Sequence, residues 1–233
     1  MADVNLKLDL IKFGDQTYHP PPHLKPLPAF EDWILEESKD TKKSIRGRNF
    51  SVYQSNIDEE DNDDYIPCLY LPAEHGGTKL VIYFHGNAED IGLSFDLLTS
   101  FGDSMQAHML AVEYPGYGLY KGHQTNELQM QEDCEAVYDY LTTVCGVDEQ
   151  NIILWGRSLG SGPCSYLASL KRCHSIILMS PFASIKAAAK DILGWASFMS
   201  FIVEDKFRNI DYIKVVNCPV FIMHGLEDSL IPF

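Results

Sequence analysis

Basic residues are scarce, with 18 Lys and Arg against 33 Asp and Glu and a formal charge of -15. Nucleic-acid binding rests on Lys and Arg neutralising phosphates, so no nucleic-acid partner is expected. The same charge would repel an anionic membrane surface. The six cysteines, Cys68, Cys134, Cys145, Cys164, Cys173 and Cys218, form no C-x-x-C pair and show no metal-ligand spacing. They read as small buried hydrophobes in a reducing compartment, and neither a zinc site nor a redox centre is expected. The first ten residues lack the uninterrupted apolar run of a signal peptide, because Asp3, Lys7 and Asp9 break it. Position 2 is Ala rather than Gly, and the end Ile231-Pro232-Phe233 has no prenylation cysteine. The late apolar stretch is free of charge only over 192–203, too short to cross a bilayer. No repeat of 20 to 50 residues suggests a solenoid. The expectation is a cytoplasmic protein whose membrane contact, where it occurs, is peripheral and has no lipidation motif behind it.

What is present suits one α/β domain: 233 residues, 45% of them hydrophobic, can bury a sizeable core. Residues 1–45 are set apart by Pro20, Pro21, Pro22, Pro26 and Pro28 and read as an extension without fixed structure, apart from one helical turn over 30–37. The domain is expected over 46–233. Alternating residues at 49–55 and 65–71 predict an antiparallel pair joined by the acidic run 56–64. That run lacks the Gly and closing Glu of a calcium loop and reads as a solvated connection. Apolar strands are expected at 79–84, 108–114, 151–155, 174–179 and 218–223, with helices over 91–104, 128–144, 161–171 and 185–203 between them. Alternating strands and helices predict a mostly parallel sheet with helices on both faces.

The organising stretch is Gly156-Arg157-Ser158-Leu159-Gly160, a G-x-S-x-G between a buried strand and a helix. A strand that turns sharply into a helix holds the bend residue in strained φ/ψ, and the flanking glycines admit the close backbone approach. Ser158 would stand exposed at the tip as a nucleophile. Alone the pattern could be a Gly-rich turn, but the strand before it and the helix after it supply the context that catalysis requires.

Other candidates lie where strands end. After the strand at 79–84 come His85-Gly86-Asn87-Ala88-Glu89-Asp90. The backbone N–H of Asn87 or Ala88 would form half of an oxyanion hole and that of Leu159 the other half, while Asn87 or Asp90 could equally cap the helix that follows. His85 reads as a residue that positions this loop rather than as a general base. Pro115-Gly116-Tyr117-Gly118 is a turn and a wall of the pocket. After the strand at 218–223, Asp228 is the carboxylate placed to orient a histidine, with Glu227 as the fallback. The aromatics of 192–203 fit a packed helix and the roof of an apolar pocket equally well.

Four motifs in order, F-H-G-N-A-E-D-I-G at 84–92, E-Y-P-G-Y-G at 113–118, G-R-S-L-G-S-G at 156–162 and H-G-L-E-D at 224–228, resemble the α/β-hydrolase superfamily of serine hydrolases. The resemblance is to its eukaryotic protein depalmitoylase (acyl-protein thioesterase) branch. It implies an α/β-hydrolase fold with Ser158 as nucleophile, Asp228 as triad acid, and oxyanion-hole amides at Leu159 and beside Asn87. The implied reaction is hydrolysis of an acyl ester or thioester, in which a lipidated protein is one candidate substrate, through an acyl-enzyme and without metal or organic cofactor. The chain departs from this pattern twice. The branch's N-terminal cysteine cluster has no counterpart, the first cysteine being Cys68, and the family's catalytic histidine follows the acid, whereas all eight histidines precede Asp228. The sequence therefore reads as a hydrolase lacking its last strand, its last helix and its base, impaired in this form. The alternative is a non-catalytic binding protein of the same fold.

Overall fold

The computed structural model describes residues 9–12, 65–73, 76–118, 120, 124–193 and 204–232. Among them, seven strands form one sheet: β1 (Asp9–Lys12), β2 (Tyr65–Leu71), β3 (Leu80–Phe84), β4 (His108–Val112), β5 (Ile152–Arg157), β6 (Ser175–Met179) and β7 (Val220–Met223). The spatial order is β1-β2-β4-β3-β5-β6-β7. β1 and β2 are antiparallel to their neighbours, whereas β4, β3, β5, β6 and β7 run parallel.

Strand alternation builds two cores, one on each face of the sheet. Leu80, Ile82, Phe84, Leu110, Val112, Ile152, Leu154, Ile176 and Leu178 point to one face. There they meet α2 (Glu127–Asp139), α3 (Ser161–Leu170) and the short α5 (Asn209–Tyr212), through Met130, Val137, Tyr138, Cys164 and Leu167. Val81, Tyr83, Met109, Ala111 and Trp155 point to the other, where α1 (Phe95–Met105) covers them with Leu98, Phe95 and Phe101. Burying both faces explains why the central strands are continuously apolar. Cover thins towards β7, where Val220, Phe221 and Ile222 are 40%, 58% and 56% exposed.

Several expectations change. The N-terminal stretch read as lacking fixed structure contributes β1, which pairs with β2 through Asp9↔Cys68 and Lys12↔Tyr65. The expected strand at 49–55, the helical turn at 30–37 and the acidic run lie outside the described residues. The helix expected from 91 starts at Phe95, because Asp90 Oδ1 accepts the Leu93 N–H at 2.7 Å and holds 91–94 as turns. The helix expected over 128–144 is α only to Asp139 and ends in a π turn, Tyr140–Val144. The helix expected over 185–203 is described as α4, Ile185–Leu193, and its remainder lies outside the described residues. α5 was not anticipated, since a single turn carries no readable period.

Candidate active site

Parallel register brings the candidate loops to one edge. Phe84 pairs with Gly156, Arg157 with Met179, and Met179 with Met223. The residues that follow, His85, Ser158, Ser180 and His224, therefore leave from the carboxyl ends of neighbouring strands β3, β5, β6 and β7. That end of an open α/β sheet is where ligands bind.

Ser158 has φ of +49°, in the left-handed region, directly between β5 and the 3₁₀ turn Ser158–Gly160 that leads into α3. A non-glycine residue held there is strained, and such strain persists only where surrounding packing imposes it. Here the packing is backbone on backbone. A Cβ on Gly156 would lie 2.4 Å from Gly160 O, and one on Gly160 only 2.0 Å from Phe84 O. Ser161 Oγ donates to Ser158 O at 2.6 Å, and Asn209 Nδ2 in turn donates to Ser161 Oγ at 2.9 Å and to Phe182 O at 3.0 Å. Buried Asn209 thus ties α5 to the elbow and to the loop after β6.

The loop after β3 is fastened from beneath. His85 is fully buried, its Nδ1 donating to Gly86 O at 2.9 Å and its Nε2 lying 2.8 Å from Glu113 Oε1. It stacks on Tyr114, whose hydroxyl donates to His85 O at 2.9 Å. With both nitrogens engaged, His85 positions the loop, as the sequence suggests. Glu113 also accepts the N–H groups of Tyr114 at 3.3 Å and Ile91 at 3.4 Å. From above, Tyr117 donates its hydroxyl to Asn87 Oδ1 at 2.6 Å, and burial, then the Glu113 charge, pushes that phenol up so that it stays a donor. Glu89 accepts the Gly86 N–H at 3.2 Å and pairs with Arg157, joining this loop to the elbow. Asn87 and Ala88 are exposed, and among the described residues their backbone N–H groups meet no protein acceptor. Leu159 is half-buried beside Ser158.

Asp228 sits in the loop after β7. Its Oδ1 accepts the N–H groups of Ile231 at 2.9 Å and Leu230 at 3.0 Å, and Oδ2 lies 3.7 Å from His224 Nε2. The Ile231 N–H first, then the Leu230 N–H, Ser180 and His224, hold its carboxyl below the usual value. His224 Nε2 donates to Ile231 O at 2.6 Å, so that nitrogen closes the loop. Glu227 is exposed. Of the described histidines, His85, His108, His174 and His224, none hydrogen-bonds Ser158. Beside the acid loop lies an apolar hollow of about 460 Å³, lined among others by Phe182, Ala187, Ala188, Ile222 and Ile231. The start of α4 lines it, whereas the aromatics expected as a roof fall outside the described residues.

Sequence reasoning missed Glu113, the Glu89–Arg157 pair and Asn209. A carboxylate directly after the apolar strand HMLAV was the one available signal for Glu113, because a buried charge needs a partner. Asn209 carried none, since its partners are distant in sequence. Among the described residues, no three His, Cys, Asp or Glu side chains are grouped so that they could hold a metal ion.

No family model matches the chain. Over 174 residues it is 33% identical to alpha/beta hydrolase domain-containing protein 17C of Xenopus laevis, an overlap of 74% of this chain and 54% of that protein. The chain spans about half the length of the curated relatives it matches. A solved alpha-beta hydrolase from Vibrio vulnificus superposes with a TM-score of 0.57 at 21% identity, covering 71% of this chain and 62% of that one. Est1E from Butyrivibrio proteoclasticus, solved with ferulic acid bound, gives 0.56 at 16% identity, covering 72% and 78%. With the strand order, the strained serine and these likenesses together, the chain belongs to the α/β-hydrolase superfamily.

Proposed function

We propose that the protein is a serine hydrolase that cleaves a carboxylic ester or thioester through an acyl-enzyme on Ser158. The observation that carries this is the positive φ of Ser158 at the strand-to-helix bend, imposed by backbone contacts that only Gly156 and Gly160 permit. Such strain presents Oγ at the sheet edge, beside the N–H of Leu159 and those of Asn87 and Ala88 as oxyanion donors. Asp228, kept ionised by its loop amides, is the acid that orients the base. Likeness to proteins named alpha/beta hydrolase domain-containing protein 17C supports a hydrolase; an acyl-protein thioester as substrate, with peripheral membrane contact in the cytoplasm, is part of the proposal and rests on the motif resemblance alone. Among the described residues no helix is long and apolar enough to cross a membrane.

In this architecture the base follows the acid in chain order, and none of the described histidines bonds Ser158. The same observation favours a second reading, a non-catalytic binding protein of this fold. A fluorophosphonate probe separates the two, because phosphonylation needs the activated serine and its oxyanion donors. Covalent labelling that maps to Ser158 and disappears in Ser158→Ala is expected. A native, folded chain that takes up no label would favour the binding protein.

A further inference from the structure

At the opposite edge of the sheet, where β5, β6 and β7 begin, lies a second hollow of about 530 Å³. Cys173 and Cys218 both line it, and their Sγ atoms are 3.4 Å apart although the residues are 45 apart in sequence. Their positions are held by rigid neighbours. Ile176 pairs with Val220, and the Ile176 N–H donates to Pro219 O at 2.9 Å, so the residues leading into β6 and β7 run side by side. Arg172 and His174 border the same hollow, and none of its lining residues is acidic, in a chain of formal charge -15. Lys171 also lines it but is engaged by Asp139 at 2.7 Å.

We propose that Cys173 and Cys218 form a dithiol site for a small carboxylate-bearing disulfide of the glutathione class, which oxidises them to an intramolecular disulfide joining the starts of β6 and β7. A disulfide needs its sulfurs about 2.05 Å apart. Closing from contact distance is within the reach of side-chain torsions, and both backbones are already neighbours. Accessibility sets the order of attack. Cys218 is half-buried and Cys173 is 6% exposed, and burial pushes the Cys173 thiol well up. Cys218 therefore attacks first as thiolate. Its sulfur bonds to one sulfur of the small disulfide, the S–S bond breaks, and the other half leaves as a thiolate that takes up a proton. Cys173 then gives its proton to solvent and attacks Cys218 Sγ, expelling the second small thiolate. Two protein thiols and one small disulfide become one protein disulfide and two small thiols. The protein pair loses two electrons, which the small disulfide gains. Arg172 faces the carboxylates of the incoming molecule, which guides it to a hollow on an otherwise acidic protein. Cys134 and Cys164, at 1% and 0% exposure, are closed to such a reagent.

This site does not depend on the hydrolase reading, and its test needs no activity. The reduced chain is treated under native conditions with glutathione disulfide, quenched with iodoacetamide, and followed by intact mass and peptide mapping. The expected wild-type product has lost two hydrogens and yields a cross-linked peptide pair containing Cys173 and Cys218, reversed by dithiothreitol. Cys173→Ser should stop at one stable glutathionyl adduct on Cys218, for want of the second thiol. Cys218→Ser should react roughly tenfold more slowly, because only the buried thiol remains. Circular dichroism checks that both variants fold, and if either does not, the wild-type map alone decides. A lasting adduct on the wild type without the cross-link, a cross-link that forms only in urea, or no native reaction at all would each overturn the proposal.

Discussion

Gly160 packs so tightly against Phe84 that a Cβ on it would lie 2.0 Å from the Phe84 carbonyl oxygen. No rotamer relieves a clash between a Cβ and backbone, so Gly160→Ala must push the elbow away from β3. We expect a loss of at least about 2 kcal/mol in urea unfolding. Gly225→Ala is the contrast, since its Cβ would meet Asp228 only at 3.8 Å, and it should change stability by less than about 0.5 kcal/mol.

Just past β4, buried Glu113 accepts the N–H groups of Ile91 and Tyr114 and lies 2.8 Å from His85 Nε2. Glu113→Leu leaves them without an acceptor and should cost about 3 kcal/mol. It should also slow fluorophosphonate labelling of Ser158, because the loop bearing Asn87 and Ala88 loses its anchor. Glu113→Gln keeps the shape and an acceptor oxygen, so its loss of stability should be distinctly smaller. Equal losses in the two variants would show that packing, not polar partnership, holds the loop.

Asn209 grips the elbow from α5 through Ser161 and holds the loop after β6 through Phe182. Asn209→Ala removes both donated bonds and should cost about 1 to 3 kcal/mol by thermal or urea unfolding. Labelling of Ser158 should slow in parallel. Unchanged labelling in a destabilised variant would make Asn209 a packing residue with no influence on the elbow.

The depressed pKa of Asp228 makes a pH prediction with a definite sign. A carboxylate whose folded pKa lies below its unfolded value stabilises the folded loop above the unfolded value, and this contribution is lost as pH falls through the folded one. The Leu230 and Ile231 N–H groups, which Asp228 accepts, should therefore be protected near neutrality and exchange faster in acid, below the ordinary carboxylate range. In Asp228→Asn, hydrogen exchange at these two amides, corrected for its intrinsic pH dependence, should be flat across that window.

If the hollow beside the acid loop receives the acyl chain, kcat/KM on p-nitrophenyl esters should rise past butyrate, each buried methylene contributing up to about 0.8 kcal/mol. Ala187→Trp, which fills the hollow from α4, should flatten that rise while leaving acetate hydrolysis nearly unchanged. A flat series in the wild type would assign the hollow to packing alone.

Local signals in the sequence determined most of the sheet and the elbow. Near-continuous apolar runs marked β3 to β7, and in the central strands they reflect cover on both faces, which leaves no polar side to show. G-x-S-x-G between a strand and a helix marked Ser158, because the strain and close approach at that bend depend on neighbours in the chain. Asp228 was singled out as an acid in the loop after the last apolar run, and the structure places it in that loop, accepting the Leu230 and Ile231 N–H groups. Tertiary structure alone decided that residues 9–12 pair with β2, since register across a long gap depends on which edge remains open. It likewise decided that Glu113 fastens His85, that Asn209 reaches Ser161, and that Cys173 meets Cys218. These contacts join residues that lie 28, 48 and 45 positions apart. No local spacing encodes such meetings, because they arise only when the parallel strands align and bring the ends of their connections together.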